Sequence, residues 1–85
     1  MRVQVLYWQD IPSVIRVTDD DGKQLSRQLP DWFQQEIDRV AMEQGLVGND
    51  AYLEQWEWRD LEPRGGAPND VLDAVEADLR AASGR

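Results

Sequence analysis

The chain has neither cysteine nor histidine among its 85 residues. Without cysteine it can form no disulfide, no thiolate metal site and no thiol nucleophile. Without histidine it lacks the commonest general base and the commonest metal ligand. Catalysis would have to use carboxylates, arginine, tyrosine, serine or the single lysine, Lys23. We therefore expect no enzyme activity, no metal and no cofactor, and a cysteine-free chain fits a cytoplasmic location.

Long apolar runs and clustered positive charges are also missing. The apolar stretch after Arg2 ends at Trp8 and is interrupted by Gln4, which is too short and too polar for a signal peptide. No segment approaches the length of a transmembrane helix. The net charge is −8 and the arginines are scattered among acidic residues. Because such a surface repels nucleic acid and anionic lipid, we expect neither as a partner.

The residues that are present suffice for one small core. The apolar fraction is 41%, and four Trp, two Tyr and one Phe supply large apolar side chains. A chain of this length buries only about 60% of the surface that its unfolded form exposes. We predict a single domain over residues 1–82, followed by a frayed tail at residues 83–85.

The first third of the chain has the alternating pattern of strands. Residues 2–8 alternate and are rich in β-branched and aromatic side chains, which predicts a strand covered on both sides at its end. A connection at residues 10–13 leads to a second strand at residues 14–18. The run Asp19-Asp20-Asp21-Gly22 predicts a hairpin turn, and residues 23–29 predict a third strand at an edge of the sheet.

The middle of the chain changes to helical periodicity. Phe33, Ile37, Val40 and Ala41 form one apolar stripe, which predicts a helix from Asp31 to Gln44 that Gly45 ends. Residues 48–50 offer a turn and an N-cap for a second, short helix. Its apolar face is formed by three residues, namely Tyr52, Leu53 and Trp56.

Two alternatives remain open for residues 56–61. Their alternation favours a short fourth strand, whereas the rival is a continuation of the second helix to Arg59. After a loop at residues 62–68, Asn69 or Asp70 is expected to cap a last helix that ends at Ala82. The apolar stripe of that helix consists of Leu72, Val75 and Leu79.

These elements predict an α+β fold. The expected order is β-β-β-α-α-β-α, with a small antiparallel sheet covered on one face by helices. In this arrangement we expect Phe33, Ile37 and Trp56 to pack with Val3 and Val5.

Three segments resemble chemical motifs but do not meet the requirements of those motifs. With Gly22 at the sixth position of an EF-hand loop, the first and twelfth positions would be Val17 and Gln28, which cannot supply the required carboxylates. Gly65-Gly66 lacks the strand, helix and lysine of a phosphate-binding loop. Carboxylate pairs for glycoside chemistry are numerous, but so small a chain has little room for a two-walled substrate cleft.

Trp32 lies outside the apolar stripe of its helix, beside Gln35, Glu36 and Arg39. It is either a lid over the core or an anchor for an interaction, since exposed tryptophan is enriched at binding hot spots. We predict an interaction surface formed by Trp8, Asp10, Ile11 and Pro12 together with Trp32. For the segment from Asp10 to Pro12, simple turn chemistry is the alternative.

The segment Y-W-Q-D-I-P at residues 7–12 resembles the opening motif of a bacterial family, the virulence factor domain family. The resemblance covers about residues 3 to 80, and this chain departs from the pattern at Gln9 and in its sparser basic residues. Further matching segments are Gln28-Leu29-Pro30, Trp32-Phe33-Gln34, Ile37-Asp38-Arg39, Ala41-Met42, Gly45-Leu46, residues 50–54 and Trp56.

The resemblance implies a bacterial module with no established catalytic or binding residues. Members of the family occur alone and within larger proteins that carry helical repeats. Stand-alone members are associated with genes for folate- and corrinoid-dependent methyl transfer. The resemblance therefore implies a non-catalytic interaction or accessory module with a protein partner, and as an alternative a cofactor-handling accessory protein in one-carbon metabolism.

Overall fold

A computed structural model describes residues 1–48 and 50–83 of the chain. This part confirms the α+β class and the predicted order of elements. In chain order the elements are β1 (Arg2–Trp8), β2 (Ile11–Thr18), β3 (Gln24–Gln28), α1 (Asp31–Glu43), α2 (Asp50–Glu54), β4 (Trp56–Leu61) and α3 (Pro68–Ala82).

The four described strands form one antiparallel sheet in the order β3-β2-β1-β4. β1 is central, because Trp8 is paired with Ile11 on one side and with Trp56 on the other. β3 lies at an edge, as predicted. The strand interpretation of residues 56–61 is confirmed, and the rival helix to Arg59 is wrong, since this segment pairs with β1 along its length.

The first hydrophobic core lies between the sheet and α3. Alternate residues of β1 and β2 point to this face, and α3 contributes an apolar stripe at helical spacing. Phe33 at the start of α1 joins the same core. Its buried residues are Val3, Val5, Ile15, Val17, Leu29, Phe33, Val71, Leu72 and Val75.

A second, smaller core surrounds Trp8 at the end of β1. Trp8, Ile37 and Ala41 are buried there, and Tyr52 and Trp56 pack against them. The predicted packing of Ile37 and Trp56 against Val3 and Val5 is therefore wrong, although Phe33 does belong to the same core as both valines. The first turn of α1 contributes Phe33 to the first core, whereas its later residues Ile37 and Ala41 pack around Trp8 at the end of β1.

The ends of the helices show which local signals decided the fold. Gly45 has φ 70°, and the Leu46 amide donates to the Ala41 carbonyl at 2.9 Å, which is the Schellman ending of a helix. The expected cap of α3 at Asn69 or Asp70 is wrong, because Pro68 occupies the first turn and Ala67 is the N-cap. Part of the cap expected for α2, residue 49, lies outside the described residues.

Three further expectations concern single residues. Asp19 accepts hydrogen bonds from the amides of Asp21 and Lys23, which confirms the hairpin turn. Leu53 is 66% exposed, so its predicted place on the apolar face of α2 is wrong. Ser83 closes α3, while the other two residues of the predicted tail, 84 and 85, lie outside the described residues.

No helix among the described residues is long and apolar enough to cross a lipid bilayer.

Candidate interaction groove

The turn between β1 and β2 consists of only two residues, Gln9 and Asp10. The predicted connection at residues 10–13 is therefore wrong, because β2 already starts at Ile11. Gln9 has φ 54°, a left-handed conformation that a residue with a side chain adopts at a cost. Its amide donates to the Gln55 carbonyl at 3.2 Å, and its side chain exchanges two hydrogen bonds with Gln44.

A β-bulge explains how proline is accommodated so close to the turn. The register with β1 shifts between Leu6, which faces Val14, and Tyr7, which faces Pro12. The extra residue is Ser13, whose carbonyl accepts the Leu29 amide at 2.9 Å. A bulge is one of the few places where a strand tolerates proline, because the ladder is already interrupted there.

A groove of about 320 Å³ lies beside this turn. It brings together residues from the turn, the start of β2, the first turns of α1 and the end of α3. The lining residues are Asp10, Ile11, Pro12, Trp32, Phe33, Glu36 and Ser83. Four of the five residues predicted for the interaction surface thus lie at one place, although they come from two segments about twenty positions apart in the chain.

Trp8, the fifth predicted residue, is corrected by the structure. Its side chain is fully buried in the second core and is absent from the groove lining. Its indole N–H donates to the Tyr52 carbonyl at 2.9 Å, and the two rings lie 5.4 Å apart. Trp8 is therefore a residue of the second core and not of the surface, because α1 and α2 cover the end of β1 where it lies.

Trp32 is half-buried and has two roles in the geometry. Its ring meets the Phe33 ring edge to face at a centroid distance of 4.9 Å, and it packs against the first core. The same residue lines the groove beside Pro12. The alternatives of a lid and an anchor are thus compatible in space, because Trp32 both packs against the first core and lines the groove.

Arg59 on β4 contacts the turn between β1 and β2. Arg59 donates to the Gln9 carbonyl at 2.7 Å, and its guanidinium lies 3.4 Å from the Asp10 carboxylate, whose side chain is 96% exposed. The guanidinium carbon also lies 4.3 Å from the Tyr7 ring centroid. Burial raises the pKa of Tyr7 above 10.0, while Arg59 opposes the rise and Asp10 adds to it.

The sequence interpretation missed Arg59, Glu36 and Ser83 in and around this site. Glu36 was recognised only as part of the polar side of α1, where it forms an ion pair with Arg39. Alternation along β4 places Arg59 on the same face as Tyr7 once the register is known, but no local signal fixes that register. Ser83 comes to the groove only because α3 packs back across the sheet.

A second pocket, of about 360 Å³, lies on the other side of α1. It is mainly apolar, and two of its lining residues, Met42 and Val47, are exposed hydrophobic residues. The lining consists of Asp38, Ala41, Met42, Val47, Gly48 and Tyr52.

Over residues 1–48 and 50–83, no acidic side chains are grouped so that three could hold a metal ion.

Comparison with known proteins identifies a family. A family model described as Virulence factor matches residues 6–83, which include the turn, the groove and the three helices that the structure describes. No curated protein and no solved structure matches the chain.

Proposed function

The chain belongs to the Virulence factor family, and from that membership and the groove at the β1–β2 turn we propose that it is a non-catalytic protein-interaction module. The observation that carries the proposal is the convergence of Asp10, Ile11 and Pro12 with Trp32 at one open groove. A large aromatic side chain beside apolar residues, with charged groups at the rim, is typical of a protein-binding surface.

The chemistry of the groove supports binding and offers little for catalysis. Its two carboxylates already have cationic neighbours, since Glu36 pairs with Arg39 and Asp10 lies beside Arg59. The hydroxyl of Ser83 donates to the Leu79 carbonyl at 2.6 Å, so it completes the end of a helix. A nucleophile would instead need an adjacent base to accept its proton.

Trp32→Ala tests the proposal in a capture experiment with immobilised protein and lysate of the source organism. We expect wild-type protein to retain specific partners that the variant loses, because truncation of an aromatic anchor commonly costs about 2 kcal/mol or more of binding. Met42→Ala is the matched control, since it removes an exposed apolar side chain from the other side of α1. Identical capture by all three proteins would refute the groove as the binding surface.

A second candidate function is the handling of a small folate- or corrinoid-type molecule. The pocket lined by Met42, Val47 and Tyr52 favours it, because its lining is mainly apolar, as in most small-molecule sites. Its volume of about 360 Å³ lies at the lower end of the range for such sites. A rise in melting temperature with a folate or a cobalamin, abolished by Val47→Asp, would support this function. If neither ligand shifts the melting temperature, this candidate is removed and the interaction module stands alone.

A further inference from the structure

β4 forms the outer edge of the sheet, and its free hydrogen-bonding groups belong to alternate residues. The Gln9 amide donates to the Gln55 carbonyl, so the odd-numbered residues of this register face β1. The main-chain groups of Trp56, Trp58 and Asp60 consequently point outwards. Within the described part of the chain, no further strand pairs with this edge.

We propose that two copies of this chain associate through β4, pairing antiparallel about a two-fold axis at Trp58 to form one continuous sheet. In this register Trp58 faces Trp58 of the second copy, and Trp56 faces Asp60 of the second copy. All of these are outward-facing positions, so each pair can exchange two main-chain hydrogen bonds. Such a symmetric pairing uses one self-complementary surface and closes as a dimer.

The charges on β4 select this register over its neighbours. Glu57 lies opposite Arg59 of the second copy, and by symmetry Arg59 lies opposite Glu57 of the second copy. The two adjacent registers that also satisfy the outward groups oppose Glu57 to itself or Arg59 to itself. Because opposite charges across a strand pair stabilise it and like charges destabilise it, the register centred on Trp58 is the favoured one of these three.

The exposed side chains of β4 support a second copy of this chain as the partner. Trp58 is 40% exposed, one of the large hydrophobic residues left on the surface, and the Arg16 guanidinium lies 4.0 Å from its ring centroid. In the dimer the two Trp58 rings become direct cross-strand neighbours on the same face, each with an arginine on it. Aromatic pairs of this kind add to the stability of paired strands.

The inference does not depend on the groove. None of the groove-lining residues belongs to β4. Self-association and capture of another protein can therefore be tested separately.

Sedimentation equilibrium measures the association directly. We expect wild-type protein to reach twice its 9.8 kDa mass as its concentration rises. Glu57→Lys places like charges opposite each other twice and should weaken the association about tenfold or more. Glu62→Lys, on an exposed loop residue just after β4, makes the same change in net charge and should leave it unaltered. A wild-type mass that stays at 9.8 kDa at all concentrations overturns the proposal.

A second pair of variants tests the strand contact itself. Asp60→Pro removes an outward-facing amide without removing a hydrogen bond to β1, and its ring obstructs the incoming strand. Asp60→Ala loses the same carboxylate, which pairs with Arg2 at 3.1 Å, but keeps the amide. We expect Asp60→Pro to be monomeric and Asp60→Ala to be dimeric, with equal circular dichroism spectra. Equal association of the two variants overturns the proposal.

The absence of cysteine permits a test of register. Under mild oxidation Trp58→Cys should form a disulfide-linked dimer, because residue 58 faces its own symmetry mate at about 5.5 Å between Cα atoms. Glu57→Cys should not, because its two copies are offset by two residues along the strand. A dimer that cross-links at residue 57 and not at residue 58 would overturn the register.

Discussion

The guanidinium of Arg16 lies 4.0 Å from the ring centroid of Trp58, although the two residues belong to strands that are not neighbours. Arg16 is on β2 and Trp58 is on β4, with β1 between them. On its way the arginine donates two hydrogen bonds to the Gln4 side chain, at 3.1 and 2.7 Å. One side chain thus links three strands on the face of the sheet opposite α3.

We expect Arg16→Ala to lower the free energy of unfolding by about 1 kcal/mol, through loss of the cation–π contact and of the bonds to Gln4. Urea denaturation at low protein concentration measures this change in the free energy of unfolding. Gln4→Ala removes the hydrogen bonds to Arg16 but keeps the cation–π contact, so it measures the contribution of the hydrogen bonds alone. A double-mutant cycle between Arg16→Ala and Trp58→Leu should show a coupling of about 0.5–1 kcal/mol. A coupling of zero would mean that the stacked geometry contributes nothing to stability.

Phe33→Ala should remove a large part of the free energy of unfolding and lower the melting temperature strongly. Truncation of a buried Phe to Ala costs about 3–5 kcal/mol, and a small domain has about 5–15 kcal/mol in total. Trp32→Ala is the comparison, because its ring is only half-buried and its edge contact with Phe33 is worth about 0.5–1.5 kcal/mol. Circular dichroism melts should therefore show a folded Trp32→Ala with a moderately lower melting temperature. A cooperative melt of Phe33→Ala near that of wild type would contradict the assignment of the first core.

The backbone at Gln9 predicts a different response. With φ 54° this position suits glycine, and relief of the left-handed conformation is worth about 1–2 kcal/mol. Gln9→Gly also removes the side-chain pair with Gln44, so the substitution should be made in a Gln44→Ala background. In that background we expect Gln9→Gly to raise the free energy of unfolding and Gln9→Val to lower it. If valine is tolerated as well as glycine, the turn does not hold the left-handed conformation in solution.

Tyr7 predicts a loss of stability at alkaline pH. Its pKa is raised in the folded state, chiefly by burial, so the folded protein holds the phenol proton more tightly than the unfolded chain. This stabilisation is complete below the ordinary pKa of 10.0 and is lost as pH rises through the folded value. Urea midpoints between pH 8 and pH 11 should therefore fall, and Tyr7→Phe should fall less steeply. Parallel curves for the two proteins would contradict the role of Tyr7.

Local patterns predicted the elements and left their partners open. The alternation of residues 56–61 identified a strand, and the apolar stripe from Phe33 to Ala41 identified a helix, because both signals are periodic within one segment. Which core each apolar residue joins depends on the angle at which α1 crosses the end of the sheet. No residue of α1 encodes that angle by itself, so the packing of Ile37 around Trp8 was not predicted.

The sequence also predicted some residues of the candidate site and missed others. Trp32 stood out because it departs from the apolar stripe of its helix, and Asp10, Ile11 and Pro12 did so as a short motif. Trp8 carried the same aromatic signal, but exposure is decided by what covers a strand end, and here α2 covers it. Arg59 could not be assigned because its contact with the turn requires the register between β1 and β4.

The central position of β1 has a consequence for the order in which the protein folds. Trp8 is paired with Ile11, three positions later, and with Trp56, 48 positions later (56 − 8). Closing the longer segment raises the entropic cost by about four doublings of loop length, roughly 2.4 kcal/mol at about 0.6 kcal/mol each. We therefore expect the β1–β2 hairpin to form early and β4 to dock late onto the other edge of β1. Changes in β4 should then alter the rate of unfolding much more than the rate of folding.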